Sequence, residues 1–316
     1  MKHEFTLFVF MFVVVFLSLV SIFILVREQH NHTIGFNNTI LSKSILAVLD
    51  YPRQFMLNVN GNGNMISETT QTFVFNQLTP IHVLPNISTT TEIPLNIFQT
   101  WVSRDFPPKM QDCIYSISQD NREFKHYVYN DADCREFIKN NFDQDVLLAY
   151  DSLVPGAYKA DLWRYCILFK YGGIYMDVKF HCVDDFKLIT LCDDEYFVND
   201  RYSYSFRHGI YNAFIVAKPG NSILEKCINK VVENVNNKYY GETSLDITGP
   251  TMMYPLFSPL ERGKLNRLHL DNNNVQINIT GNIPILASYP EYRYEQSKYS
   301  PIEHYGVLYS NHKVYM

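Results

Sequence analysis

The chain has 316 residues, room for about two domains at roughly 150 residues each, although one α/β domain can reach ~250. Charged residues make up 19% and the AVILMFWYC set 47%, so the polar, highly charged composition of a disordered chain is absent. With 27 Lys+Arg against 32 Asp+Glu, a net charge of −5 and no clustered basic run, the footprint of a nucleic-acid binder is missing too, and no such partner is expected.

Phe5 to Val26 contain no charge, proline or glycine. About 20 such residues at 1.5 Å each cross a bilayer core of roughly 30 Å. The apolar region of a cleavable signal peptide is shorter and ends in small residues, whereas this run continues to Leu25-Val26-Arg27, which favours a retained transmembrane signal anchor behind a cytosolic tail of residues 1–4. Lys2 and the α-amino group on one side nearly balance Arg27 on the other, so charge orients the span weakly. Asn-x-Ser/Thr glycosylation acceptors at Asn31, Asn37, Asn86 and Asn278 all follow the span and favour a lumenal body: a single-pass type II protein of the Golgi or ER membrane. Six cysteines could form up to three bridges, but no CxxC pair exists, which argues against zinc, and Cys166 in an apolar helical pattern reads as a buried thiol.

Residues 27–92, rich in Asn, Thr and Ser, read as a lumenal stem. From Ile93 onward the pattern becomes compact, so a catalytic domain is expected over 93–316. Leu95 to Trp101 predicts a strand, Pro108 to Ser118 a helix, and Phe124 to Tyr129 a second strand. Asp131 is a candidate N-cap for a helix through Phe142. Gly156 to Tyr171 predicts a further helix ended by Gly172-Gly173, after which Ile174 to Phe180 reads as a strand. Strands alternating with helices imply an α/β fold, a sheet covered by helices.

Chemistry concentrates in Tyr158 to Phe180. On a helix, Asp161, Arg164 and Leu168 fall on one face at i, i+3 and i+7. An isolated Asp/Arg pair of this spacing is ordinarily a solvated ion pair. Here it precedes a Gly-Gly break and a strand ending at Asp177, and ligands of open α/β sheets bind beyond the carboxyl ends of the strands. A carboxylate there can hold a divalent ion that neutralises a diphosphate.

Ala160-Asp161-Leu162-Trp163-Arg164-Tyr165 followed by Tyr171-Gly172-Gly173-Ile174-Tyr175-Met176-Asp177 resembles the central block of the DXD-motif glycosyltransferases of family 32, relatives of a yeast mannosyltransferase. Ile93-Pro94 through Phe98-Gln99-Thr100-Trp101, Tyr211-Asn212-Ala213-Phe214 with Lys218-Pro219-Gly220, and Thr248-Gly249-Pro250 match further blocks in the family's order, so the resemblance covers about Ile93 to Tyr315. It implies a GT-A (Rossmann-like) fold, a UDP- or GDP-sugar donor, and hexose transfer with retention to a glycan, glycoprotein or glycolipid. Carried over by position, Asp161 and Arg164 contact the nucleotide and sugar, and Asp177 the ribose, diphosphate or metal. Thr100, Trp101, Gly172, Gly173, Tyr175, Asn212, Asp246, Thr248 and Gly249 are the further donor-site candidates.

The family's second acid is replaced, giving Asp177-Val178-Lys179. Two readings stay open. Mn²⁺ or another divalent cation could be held by Asp177, the diphosphate and a C-terminal histidine, His304 first. Alternatively, the Lys179 ammonium could pair with phosphate itself. The substitution also motivates a rival, a catalytically inactive lumenal sugar-binding or scaffold protein on the same fold. The 23 Tyr and 22 Phe could stack on sugars, but most are expected in the core or anchor.

Overall fold

The computed structural model describes residues 91–200, 208–263, 265, 268–271, 274–277 and 283–316. The expected anchor, nearly all of the expected stem, and the acceptors Asn31, Asn37, Asn86 and Asn278 lie outside the described residues. Among the described residues no helix is long and apolar enough to cross a membrane.

Strand β1 (Asn96–Thr100) pairs in parallel with β2 (Lys125–Tyr129) on one side and β3 (Gly173–Met176) on the other. Between β1 and β2 runs α1 (Pro108–Asp120), which starts on a proline whose missing N–H has no helical partner to lose. Three helices separate β2 from β3: α2 (Asp131–Asn141), α3 (Gln144–Ser152) and α4 (Gly156–Tyr171). The cap of α2 is Asn130, one residue before the predicted Asp131. Its side chain accepts from the Asp133 N–H while the Asp133 carboxylate accepts from the Asn130 N–H, a reciprocal capping box.

The single strand predicted over Ile174 to Phe180 is two. β3 stops at Met176, the Phe180 N–H donates to the Asp177 carbonyl (3.1 Å) to close a turn, and β4 (Phe180–Cys182) then leaves to pair with β9 at the far edge. Asp177 and Lys179 therefore approach each other through a turn, not through strand alternation.

The chain continues through β5 (Tyr196–Asn199), β6 (Ile210–Ala217) and α5 (Ser222–Asn236) to the short helices α6 (Pro250–Met253) and α7 (Pro259–Arg262). Strands β7 (Leu268–Asp271), β8 (Asn274–Ile277) and β9 (Ile283–Ser288) follow, then α8 (Tyr292–Tyr299) and α9 (Tyr305–Ser310). The nine-stranded sheet runs β2-β1-β3-β6-β5-β7-β8-β9-β4, with β6 antiparallel to β3. This is a mixed α/β fold.

Strand alternation divides the core between the two faces. Phe98, Tyr175, Ile215 and Ala217 point toward the layer of α2, α4 and α5, while Ile97, Ile174, Met176, Phe214 and Val216 build the opposite core with Leu191 and Phe180. Helix α4 packs between α2 and α5, and every residue from Asp161 to Leu168 is buried. Trp163 is at its centre, with ring centroids 4.8 Å from Tyr129 and 6.2 Å from Tyr175. A solvated ion pair is thereby excluded for Asp161 and Arg164.

The Gly-Gly break after α4 is a steric requirement. Gly172 has φ +61° and Gly173 φ +121°; a Cβ on the first would lie 2.5 Å from Pro219 Cδ, and on the second 2.6 Å from the Asn96 carbonyl oxygen. All six cysteines are free thiols, and Cys166 is fully buried.

Candidate functional site

Parallel pairing sets Thr100-Trp101 and Asp177 side by side at the carboxyl ends of β1 and β3, with Asn130-Asp131 at the end of β2. Helix α4 packs on β1, β3 and β6 and delivers Asp161 and Arg164. The Arg164 guanidinium stacks 4.3 Å over the Tyr175 ring. Its Nε donates to the Ala160 carbonyl (3.1 Å), its Nη1 to the Asn212 carbonyl (2.7 Å), and it faces Asp161 Oδ1 at 3.2 Å and Asp177 Oδ1 at 3.6 Å. Asp161 Oδ1 also accepts from Asn212 Nδ2 (3.0 Å), and Oδ2 from Thr248 Oγ1 (2.7 Å).

Asp177 is gripped as firmly. The Tyr175 hydroxyl donates to its Oδ1 at 2.8 Å and the Lys179 ammonium to its Oδ2 at 2.7 Å. Its backbone N–H donates to the Ala213 carbonyl (2.9 Å). Lys179 Nζ lies 5.1, 5.3 and 5.6 Å from the ring centroids of Phe180, Tyr211 and Tyr292, within cation–π range.

Burial pushes the Asp161 carboxyl up to about 6, against the opposing pull of Arg164 and the hydrogen bond from Thr248. Asp177 is half-buried, its side chain 19% exposed, and burial raises it as well, but Lys179 and then Arg164 overcome this and hold it below the ordinary carboxylate value. Desolvation opposes the Lys179 charge, yet the Asp177 carboxylate leaves its pKa above that of a free lysine. Two buried charges, Asp161 and Arg164, beside two half-buried ones, Asp177 and Lys179, are an expensive arrangement that well-packed apolar residues often match in stability. Environments that drive two neighbouring carboxyls apart in a cleft are common at functional sites, and structural ion-pair networks produce them too.

The cluster opens into a cavity of about 1190 Å³. Thr100, Trp101, Asp161, Arg164, Tyr175, Asp177, Lys179, Asn212, Gly249 and His304 all line it, so ten of the sequence candidates converge. Trp101 is 8% exposed and its indole N–H has no partner among the described residues, which leaves a donor for a ligand oxygen at the wall.

Four candidates are elsewhere. Gly172 and Gly173 sit at the opposite end of β3 and serve the turn described above. Thr248 is fully buried behind Asp161 and positions that carboxylate. Asp246 is absent from the cavity wall, its Oδ2 accepting from the N–H groups of Glu242 (2.9 Å) and Thr243 (2.8 Å) to tie its own loop.

The structure adds residues that sequence reasoning passed over. Gln99 Nε2 reaches the Asp177 carbonyl at 3.4 Å, and Tyr211, Tyr292 and Arg293 join the wall. Tyr211 lies inside a recognised block, whereas Tyr292 and Arg293 come from α8, over a hundred residues from Asp177, where no spacing could signal them.

A divalent cation on Asp177 and His304 fits poorly. Both Asp177 oxygens are engaged by cationic or hydroxyl donors, and among the described residues no three His, Cys, Asp or Glu are grouped to hold a metal. His304 Nδ1 accepts the Gly306 N–H (3.2 Å) and caps α9. Burial, followed by Arg293, lowers its pKa.

Residues 107–198 match the family described as glycosyltransferase sugar-binding region containing DXD motif. Among curated relatives, inositol phosphoceramide mannosyltransferase 3 of Schizosaccharomyces pombe is 36% identical over 90 residues, 28% of this chain and 25% of that protein. Initiation-specific alpha-1,6-mannosyltransferase of Candida albicans is 36% identical over 91 residues, 27% and 24% of the two chains. The chain thus spans about a quarter of the length of these relatives. Among solved structures, the PaToxG glycosyltransferase overlays with a TM-score of 0.39 at 15% identity, covering 55% of this chain and 84% of that one.

Proposed function

We propose that the chain is a nucleotide-sugar-dependent glycosyltransferase that moves a hexose, with retention of configuration, from a UDP- or GDP-sugar to a glycan, glycoprotein or glycolipid. The two relatives named as mannosyltransferases favour mannose. One observation carries the reading: the largely buried Asp161–Arg164–Asp177–Lys179 cluster at the carboxyl ends of β1 and β3, opening into a cavity of about 1190 Å³. That space exceeds the roughly 300–1,000 Å³ of a drug-sized pocket and leaves room for a nucleotide sugar and the reacting end of an acceptor.

Sugar transfer of this type asks for positioning and electrostatics, with little covalent work from the protein. As the glycosidic bond breaks, negative charge grows on the departing diphosphate. Arg164 and Lys179 are positive groups already locked in place, so no reorganisation opposes their response. Asp161, held by Thr248 and Asn212, and the Trp101 N–H offer fixed polar contacts for the sugar and nucleotide. The catalytic region is assigned the GT-A fold over 93–316, behind a signal anchor that faces it into the Golgi or ER lumen.

Turnover by the full chain in a screen of UDP- and GDP-sugars tests this. Asp177→Ala and Asp161→Ala should each lower transfer at least a hundredfold; absence of both transfer and donor hydrolysis across the screen would overturn the catalytic reading. Endoglycosidase sensitivity of the expressed protein tests topology, and an unglycosylated, cytosol-facing body would reject the lumenal assignment.

A further inference from the structure

We propose that Lys179 is a built-in replacement for the divalent cation, so that this chain binds the diphosphate of its donor without metal. The inference rests on the donor-binding reading above and concerns how the same site supplies positive charge.

Asp177 and Asp161 have little coordination capacity to spare. Asp177 Oδ2 carries the Lys179 ammonium at 2.7 Å, and Oδ1 carries the Tyr175 hydroxyl at 2.8 Å with Arg164 at 3.6 Å. Asp161 is equally occupied, one oxygen by Asn212 and Arg164 and the other by Thr248. A hard divalent ion needs carboxylate oxygens free to face it, and two ions of its own sign already hold these. The position that would supply a second carboxylate is Lys179 itself.

Lys179 is also built as a fixed group. Tyr289 donates its N–H to the Lys179 carbonyl at 3.0 Å, which ties the turn to the end of β9. The aliphatic stem is enclosed, the side chain being 13% exposed, and the ring centroids of Phe180, Tyr211 and Tyr292 lie 5.1, 5.3 and 5.6 Å from the ammonium. Aromatic faces hold a cation without neutralising it. An ammonium has three N–H donors; Asp177 takes one and the Tyr211 hydroxyl partners another. Since Lys179 and Arg164 both line the cavity, a diphosphate entering it meets two positive groups already in place.

Binding of UDP and of GDP to the full chain, stripped of metal, is measured calorimetrically in EDTA and again with Mn²⁺. For the wild type, whichever nucleotide binds should do so with a Kd within about twofold under the two conditions. Lys179→Ala should weaken binding in EDTA at least tenfold. Lys179→Asp, which restores the family's second acid, should bind at least tenfold tighter with Mn²⁺ than in EDTA.

A tenfold or greater tightening of wild-type binding by Mn²⁺ overturns the proposal and leaves the donor-binding reading intact. Unchanged affinity of folded Lys179→Ala in EDTA overturns it likewise. If the wild type binds neither nucleotide in either condition, the donor-binding reading falls and the proposal with it. The wild-type comparison requires no variant to fold.

Discussion

Removing the Arg164 side chain is the sharpest test of the site's electrostatics. Arg164→Ala takes one positive charge from a cluster of two acids and two bases, and leaves Asp161 and Asp177 with only Lys179. It also deletes hydrogen bonds to the Ala160 and Asn212 carbonyls and uncovers the Tyr175 face. Breaking a buried ion pair from one side costs about 3–5 kcal/mol, and a desolvated cation–π contact is worth about 2 kcal/mol, but the two overlap. A loss of about 4–5 kcal/mol is expected, a large part of the roughly 5–15 kcal/mol that keeps a domain folded. At about 2–4 °C per kcal/mol for a domain of this size, Tm should fall by roughly 8–20 °C.

The loss should also depend on pH. Arg164 is the first group that pulls the Asp161 pKa down against burial, so without it Asp161 holds its proton to higher pH. A protonated Asp161 no longer leaves an uncompensated charge, so the variant should be penalised less at pH 5 than at pH 7.5. Calorimetric or circular-dichroism melts of wild type and variant at both pH values decide the matter. A Tm within about 2 °C of wild type at pH 7.5 would refute a stabilising buried cluster, since mutational effects of that size correspond to about 1 kcal/mol or less. An equal loss at both pH values would refute the role given to Asp161.

Thr248→Val removes the buried 2.7 Å hydrogen bond to Asp161 and should cost about 1–3 kcal/mol in urea unfolding, while raising the pKa of Asp161 further. Because the folded state holds the Asp161 proton up to about 6 against a reference of 3.8, it binds more protons than the unfolded chain in that window, and the carboxyl's contribution declines as pH rises through it. Asp161→Asn should therefore gain on wild type by on the order of 2–3 kcal/mol between pH 4 and pH 7, and parallel stability curves would count against this. Asp177, with its lowered pKa, acts in the opposite sense: its stabilisation is complete above the unfolded value of 3.8 and disappears as pH falls through its folded value. Gly173→Ala forces a side chain onto φ +121° beside the Asn96 carbonyl and should destabilise by at least about 1–3 kcal/mol, with nucleotide affinity of the folded protein unchanged.

Periodicity was enough for α4, which spans Gly156–Tyr171 as the apolar pattern and the following glycines require. It was enough for β1 and β2 to within a residue or so, because apolar alternation and flanking polar residues mark both. It failed at Ile174 to Phe180. That run is apolar enough to continue as one strand, but the chain turns after Asp177 because Phe180 is claimed by a distant strand, and a long-range pairing leaves no trace in local spacing. The environment of Asp161 and Arg164 was equally hidden. Their i,i+3 spacing is the same in a solvated pair and a buried one, and only the packing of α4 between α2 and α5 distinguishes the two.

The sequence by itself determined the α/β class, the resemblance to DXD-motif glycosyltransferases, and the departure to Lys179 at the second acidic position, since each is written in residue order and type. Only the tertiary structure decided what those residues do to one another. It gathered Trp101, Asp161, Arg164, Asp177 and Lys179 onto one cavity and moved Gly172, Gly173 and Asp246 away from it. It also brought the rings of Phe180, Tyr211 and Tyr292 within cation–π range of the ammonium. The physical reason is burial: desolvation fixes which charges must pair and how far their pKa values move, and it depends on every segment packed around them.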